Sequence, residues 1–132
     1  MTLVDTNVLL DVLSDDPRWY GWSAHQLEAA ALQGRLIIND VVYAELSVGF
    51  SDITMLDDAL LQMGIEIEPI PRAALFLAGQ VFKLYRNAGG ARAGVLPDLF
   101  IGAHAAVAGL PLLTRDLRRY RTYFPKLRLI SP

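Results

Sequence analysis

The chain has 132 residues, of which 53% are hydrophobic and 20% charged, so it is expected to form one folded domain over residues 1–132 rather than a disordered chain. It has no cysteine, which excludes disulfide scaffolds and cysteine-based zinc sites and suits a reducing cytoplasm. No apolar run approaches the ~18 residues that a membrane helix needs, and no basic segment followed by a long apolar stretch marks a secretory signal.

The net charge of −2 is distributed unevenly along the chain. Residues 1–72 contain three basic and twelve acidic residues, a net charge of −9, whereas residues 73–132 contain nine basic and two acidic residues, a net charge of +7. Two interpretations are open: one side of the molecule contacts a polyanion, or the two halves neutralise each other across the fold. Charge alone does not favour either.

The first half of the chain alternates short strands with helices. Strands are predicted at Thr2–Val4, Leu36–Ile38 and Ile65–Ile67, where short apolar runs occur. Helices are predicted over residues 7–13, 23–33 with Ser23 as the cap, from Asp40 as a cap through residue 48, and 51–63 beginning at Ser51.

The second half continues the same alternation. Pro71 is predicted at the first position of a helix over 71–87, residues 88–94 form a loop, and Pro97 opens a helix over 98–108 that Gly109 ends. A strand over 112–114, a short helical or turn-like segment over 116–123 and a last strand over 127–130 follow. Alternating strands and helices predict a parallel sheet covered on both faces.

Four acids belong near the edge of this sheet where ligands bind, beyond the carboxyl ends of the strands. Asp5 and Asp116 follow predicted strands, Glu45 lies in the helix after the second strand, and Asp98 lies in the first turn of its helix. Each Asp has a simpler interpretation as a helix cap or dipole partner. If the four converge, their repulsion favours a divalent cation such as Mg²⁺ or Mn²⁺, or protonation of some of them.

The motifs that carry these acids are similar to those of a known family. VDTNVLLDV, VVYAEL, LPDLFIGAHAAVAGLPLLTRD and RRYRTYFPKLRLI occur in an order and at a spacing that span essentially the whole chain. In these motifs the chain resembles the PIN-domain ribonucleases, and specifically the VapC-type toxins of toxin–antitoxin modules. It departs from them at Asp40, where such chains often have Ser or Thr. The fourth acid of such chains is often Asn, so Asp116 fits a full set of metal-binding acids.

The resemblance implies a three-layer α/β/α fold and a Mg²⁺- or Mn²⁺-dependent endoribonuclease, in the cytoplasm, inhibited by a small antitoxin and forming a homodimer. It implies catalytic roles for Asp5, Glu45, Asp98 and Asp116. Asp5, Asp98 and Asp116 would hold the metal, and Glu45 would either bind a second ion or orient the attacking water. It also implies that Asn7 and Thr114 line the pocket.

Several arginines are candidates for contact with RNA because they lie beside the predicted metal site. Arginine suits phosphate and interleaved aromatic side chains suit unpaired bases. A solvated basic turn is the simpler interpretation. The candidates are Arg92 in the 88–94 loop and Arg115, Arg118, Arg119 and Arg121 in the segment after the fourth strand.

The sequence argues against two functions other than a ribonuclease. A non-catalytic PIN-like module that binds nucleic acid or protein is disfavoured because such a module has no need for four mutually repulsive acids. A haloacid-dehalogenase-type phosphatase would need a second Asp two residues after Asp5, where Asn7 stands. His25 and His104 are predicted to be structural or exposed rather than metal ligands.

Overall fold

The computed structural model describes residues 1–90 and 95–132, and in them five short strands and seven α-helices follow one another. The strands are β1 (Thr2–Val4), β2 (Leu36–Ile38), β3 (Ile65–Ile67), β4 (Leu112–Leu113) and β5 (Leu129–Ile130). The helices are α1 (Thr6–Leu13), α2 (Tyr20–Gln33), α3 (Asp40–Ser47), α4 (Ile53–Gln62), α5 (Arg72–Asn87), α6 (Leu96–Ala108) and α7 (Leu117–Tyr123).

The strands form one parallel sheet in the order β3-β2-β1-β4-β5, with β1 at its centre. Leu3 on β1 pairs with Ile37 of β2 on one side and with Leu112 of β4 on the other. All three side chains are buried, as expected for strands covered by helices on both faces. The predicted three-layer α/β/α fold is confirmed.

The parallel arrangement brings the carboxyl ends of the strands to one edge of the sheet. Asp5 directly follows β1, Asn39 follows β2 and Thr114 follows β4. The backbone N–H of Asp5 donates to the carbonyl of Leu113 at 2.9 Å, so the first strand's end is fixed beside the end of the fourth. This edge is where the sequence predicts a site.

Two helix starts differ from the prediction because a neighbouring residue provides the cap. Asn39, not Asp40, caps α3, since its side-chain oxygen accepts from the N–H groups of Val41 and Val42 at 3.1 Å each. Asp52, not Ser51, caps α4 by accepting from the N–H of Met55 at 2.9 Å.

Helix α2 begins at Tyr20, so the prediction that Ser23 caps it is wrong. The hydroxyl of Ser23 is fully buried and donates instead to the carboxylate of Asp11 at 2.7 Å. The partner of this hydroxyl lies on another helix, so no local signal in the sequence distinguishes Ser23 from a cap. The contact therefore holds α2 against α1.

The two prolines lie one position away from their predicted places. Pro71 precedes α5 with an extended backbone and is its N-cap residue, while Pro97 is the second residue of α6, which begins at Leu96. The last two strands are also shorter than predicted and consist of two residues each, so that Thr114 lies just beyond β4. These shifts of one or two residues are usual where a helix or strand ends.

Helices α6 and α7 pack closely because Gly102 has no side chain. A Cβ at Gly102 would lie 2.4 Å from the ring of Phe124, which follows α7. Gly109 ends α6 as predicted, in the left-handed conformation (φ +67) that glycine adopts without strain. In the part of the chain that the structure describes, no helix is long and apolar enough to cross a membrane.

Candidate active site

Asp5 is buried at the centre of the carboxyl edge, with only 4% of its surface exposed. One carboxylate oxygen accepts from the N–H of Thr6 at 2.8 Å, which makes Asp5 the N-cap of α1. The other accepts from the hydroxyls of Thr114 at 2.7 Å and Tyr120 at 3.1 Å. The simpler interpretation of Asp5 as a cap is therefore correct, but it accounts for only one of the two oxygens.

Burial raises the pKa of Asp5 from 3.8 to about 6, even though the hydrogen bond from Thr114 lowers it. The negative charge of Asp98 raises the pKa further, and the bonds from Tyr120 and Thr6 oppose this. A carboxylate that is costly to ionise in spite of hydrogen bonds from Thr6, Thr114 and Tyr120 lies in an environment that favours a cation.

Thr114 connects Asp5 with the start of α7. Its hydroxyl donates to Asp5 and also accepts from the backbone N–H of Asp116 at 3.0 Å. The side-chain amide of Asn7 approaches the same hydroxyl at 3.5 Å and Asp5 at 3.4 Å, and its oxygen accepts from the N–H of Arg115 at 3.2 Å. Asn7 and Thr114, predicted to line the pocket, thus both lie against Asp5.

Asp98 in α6 and Asp116 before α7 lie near Asp5 at the same edge of the sheet. Asp116 caps α7 by accepting from the N–H of Arg119 at 3.2 Å. Asp98 accepts from the guanidinium Nη1 of Arg119. Burial raises the pKa of Asp98, the bond from Arg119 lowers it, and the charge of Asp116 raises it again. Asp98 therefore interacts electrostatically with both Asp5 and Asp116.

Glu45 reaches the pocket wall from α3. It is half-buried, and its Oε1 accepts from the hydroxyl of Thr6 at 2.6 Å. Because Thr6 also donates its N–H to Asp5, one threonine holds the first and second predicted acids in fixed relative positions. This contact places Glu45 beside the pocket rather than on a solvated face of the helix.

The four acids lie at one edge of the sheet. Among residues 1–90 and 95–132, no group of three or more His, Cys, Asp or Glu is placed to hold a metal ion. The donor set nevertheless fits a hard divalent cation, because carboxylate oxygens are the ligands that Mg²⁺ and Mn²⁺ prefer. Asp5, Asp98 and Asp116 remain the residues predicted to hold it.

The predicted RNA-contacting arginines have different surroundings. Arg115 forms two hydrogen bonds with the buried carboxylate of Asp11, at 2.7 and 3.0 Å, and its guanidinium lies 4.9 Å from the ring centre of Trp19. Arg121 donates to the carbonyl of Leu127 at 3.1 Å. Arg118 is exposed, and Arg119 contacts Asp98. Arg92 lies outside the described residues.

Neither histidine belongs to the site, as predicted. His104 is buried in α6, where its Nδ1 pairs with the side-chain amide nitrogen of Asn39 at 3.1 Å. Burial lowers its pKa, so the neutral imidazole is favoured. His25 is exposed on α2.

Two residues of the site were not found from the sequence: Thr6 and Tyr120. Tyr120 is one of the aromatic residues interleaved with the arginines after the fourth strand, and its hydroxyl is a buried donor to Asp5. Its spacing of four residues from Asp116 places both on one side of α7, which is the signal that could have found it. Thr6 directly follows Asp5, and a hydroxyl beside a predicted ligand is a comparable signal.

The fold and the pocket together define an α/β domain with an acidic site at the carboxyl edge of a parallel sheet. The chain belongs to the PIN domain family, whose model matches residues 2–125. This confirms the family indicated by the sequence motifs. No curated protein matches the chain.

Solved structures with the same fold come from several bacteria. A chain of VapBC2 from Rickettsia felis, bound to a promoter DNA fragment, has a TM-score of 0.75 and 20% identity, covering 99% of this chain and 98% of that one. A chain of DNA-bound VapBC from Salmonella typhimurium has a TM-score of 0.73 and 20% identity, covering 98% of this chain and 96% of that one. A chain of VapBC-1 from nontypeable Haemophilus influenzae has a TM-score of 0.71 and 18% identity, with the same coverages. At these identities the likeness establishes the fold.

Proposed function

We propose that this protein is a Mg²⁺- or Mn²⁺-dependent endoribonuclease and the toxin component of a VapBC-type toxin–antitoxin module. The observation that carries the proposal is the buried carboxylate of Asp5, whose pKa is raised to about 6 by burial with Asp98 as a like-charged neighbour. A buried carboxylate with a like-charged neighbour destabilises the fold when ionised, unless a cation compensates its charge. PIN-family membership and the structural likeness to chains of VapBC complexes support the same assignment.

The metal would be held by Asp5, Asp98 and Asp116, directly or through water. A divalent ion bound there supplies a nucleophile by lowering the pKa of a water molecule, and it offsets the charge that develops on the phosphoryl oxygens. The hydrogen bonds from Thr114 and Tyr120 fix the orientation of Asp5 before any ion arrives. Pre-oriented ligands of this kind reduce the reorganisation that catalysis requires.

Glu45 is assigned to the attacking water or to a second ion. The hydroxyl of Thr6 donates to Oε1 of Glu45 at 2.6 Å and its N–H donates to Asp5 at 2.8 Å, so the two carboxylates share one neighbour. Arg118 and the other arginines of the basic segment would contact the RNA backbone, since charge-assisted hydrogen bonds to phosphate are strong. A small antitoxin as inhibitor, a homodimer and a cytoplasmic location complete the proposal.

The test is RNA cleavage by purified chain freed of any antitoxin. Cleavage of a structured RNA is expected with Mg²⁺ or Mn²⁺, and none is expected in excess EDTA. Replacing Glu45 with Gln keeps its size and its bond to Thr6 but removes the charge, and we expect activity to fall at least about a hundredfold. Cleavage that survives exhaustive chelation would refute the metal mechanism. RNA binding without cleavage at any metal concentration would favour the non-catalytic module.

A further inference from the structure

The acidic pocket contains a cation of its own, the guanidinium of Arg119. The backbone N–H of Arg119 donates to Asp116 at 3.2 Å, and its side chain donates through Nη1 to Oδ2 of Asp98. One arginine therefore contacts two of the three acids predicted to hold the metal. Its positive charge also lowers the pKa of Asp98, against the raising effects of burial and of Asp116.

Two other arginines near α7 have partners outside the pocket, and a third is exposed. Arg115 is bound to Asp11 and lies on Trp19, and Arg121 is bound to the carbonyl of Leu127. Arg118 is exposed. Among the described residues, the arginine that lies against a predicted metal ligand is therefore Arg119. Its contact is specific to the pocket rather than a general property of the basic segment.

The contact occupies one of the two carboxylate oxygens of a predicted metal ligand. A divalent ion and a guanidinium cannot use Oδ2 of Asp98 from the same side, because both would lie within a few ångström and repel each other strongly. The side chain of Arg119 is 43% exposed and that of Asp98 is 21% exposed. Arg119 can therefore move toward solvent by rotating its flexible side chain, with no rearrangement of α7.

We propose that Arg119 is a built-in counter-cation that a divalent ion must displace from Asp98, so that Arg119 sets the metal concentration at which the site fills. The inference rests on the proposed function for the identity of the site. In the metal-free chain, Arg119 offsets part of the repulsion among the acids. Metal binding breaks this pair and frees the guanidinium at the rim of the pocket.

The test measures Mn²⁺ affinity in the absence of RNA, by titration of the purified chain at pH 7.5. The variants are Arg119→Ala and Arg119→Gln, the second of which keeps most of the side chain without its charge. We expect both to bind Mn²⁺ about tenfold more tightly than the unmodified chain, the size of effect given by one charge-assisted hydrogen bond. The matched control is Arg86→Ala, an exposed arginine in the last turn of α5, which should leave the affinity unchanged.

A double-mutant cycle with Asp98→Asn makes the test specific. If Arg119 acts by competing for Asp98, its removal should change Mn²⁺ affinity much less in the Asp98→Asn background. Melting curves in EDTA establish that each variant is folded. Equal or weaker Mn²⁺ binding by both Arg119 variants overturns the proposal. So does a tenfold gain that persists undiminished with Asp98→Asn.

RNA cleavage at saturating Mn²⁺ tests the proposed function separately. Suppose that Arg119→Ala binds Mn²⁺ more tightly, but neither the unmodified chain nor any variant cleaves RNA. The ribonuclease assignment then fails and the displacement of Arg119 stands. If the unmodified chain cleaves RNA and binds Mn²⁺ with the same affinity as both Arg119 variants, the displacement fails and the ribonuclease assignment stands.

Discussion

Replacing Asp5 with Asn should stabilise the metal-free chain at neutral pH. Folding raises the pKa of Asp5 from 3.8 to about 6, so its favourable contribution to stability is present below pH 3.8 and is lost as the pH rises through about 6. The difference in pKa corresponds to about 3 kcal/mol of unfavourable free energy for the ionised group. Asn has the same shape and no charge, so this cost is absent in the variant.

Part of the gain is offset by weaker hydrogen bonding. The side-chain oxygen of Asn can still accept from the N–H of Thr6, but its NH₂ group replaces the oxygen that accepts from Thr114 and Tyr120. Weakening these contacts costs about 1–2 kcal/mol. We therefore expect Asp5→Asn to raise the free energy of unfolding by about 1–2 kcal/mol at pH 7.5 in EDTA, with no gain at pH 4, where Asp5 is protonated.

The assay is urea unfolding in EDTA and in Mg²⁺, followed by tryptophan fluorescence. Mg²⁺ should stabilise the unmodified chain and have little effect on Asp5→Asn, and RNA cleavage should collapse in the variant. The control is Asp58→Asn, which removes the same charge from an exposed position of α4 and should change stability by less than about 0.5 kcal/mol. A variant that is no more stable than the unmodified chain at pH 7.5, and that gains equally from Mg²⁺, would refute both the electrostatic cost and the ligand role.

Three further predictions concern the residues around this site. Tyr120→Phe removes a hydrogen bond that lowers the pKa of Asp5, so this pKa should rise. The acidic limb of the pH dependence of RNA cleavage should then move to higher pH, and an unchanged pH dependence would contradict this. Gly102→Ala places a Cβ 2.4 Å from the ring of Phe124 and should destabilise the chain by about 1–3 kcal/mol in thermal melting, whereas an unchanged melting temperature would show that the ring yields freely. If Arg118 contacts one phosphate, Arg118→Ala should reduce the slope of log binding constant against log salt concentration for single-stranded RNA by about 0.7. An equal slope would show that Arg118 is a solvated surface residue.

The strands and the long helices could be predicted because their signals are local. Short apolar runs such as Leu36–Ile38 and the alternation of strands with helices indicated a parallel sheet, which the structure has. The helix caps were less predictable because several polar residues precede each helix. Asn39 and Asp40 are both good caps, and only the backbone conformation of Asn39 decides between them.

For the candidate site, the sequence indicated which acids lie at the sheet edge but not how they are neutralised. Asp5 and Asp116 could be placed because each follows a strand of the predicted sheet. The pairing of Arg119 with Asp98 joins side chains from α6 and α7, 21 residues apart. No periodicity reveals such a contact, because it depends on the packing angle between two helices and on side-chain rotamers. The hydroxyl of Tyr120 differs in this respect, because its spacing of four residues from Asp116 places the two residues on one side of α7.

The position of β1 between β2 and β4 has a consequence for when the site forms during synthesis. Contacts between residues far apart in the sequence form slowly. The hydrogen bond between Thr114 and Asp5 joins residues 109 positions apart. Asp5 therefore leaves the ribosome long before its partners exist, and a nascent chain has no assembled pocket. Under the proposed ribonuclease function, the chain would therefore have no assembled site beside the ribosome until β4 and α7 had formed.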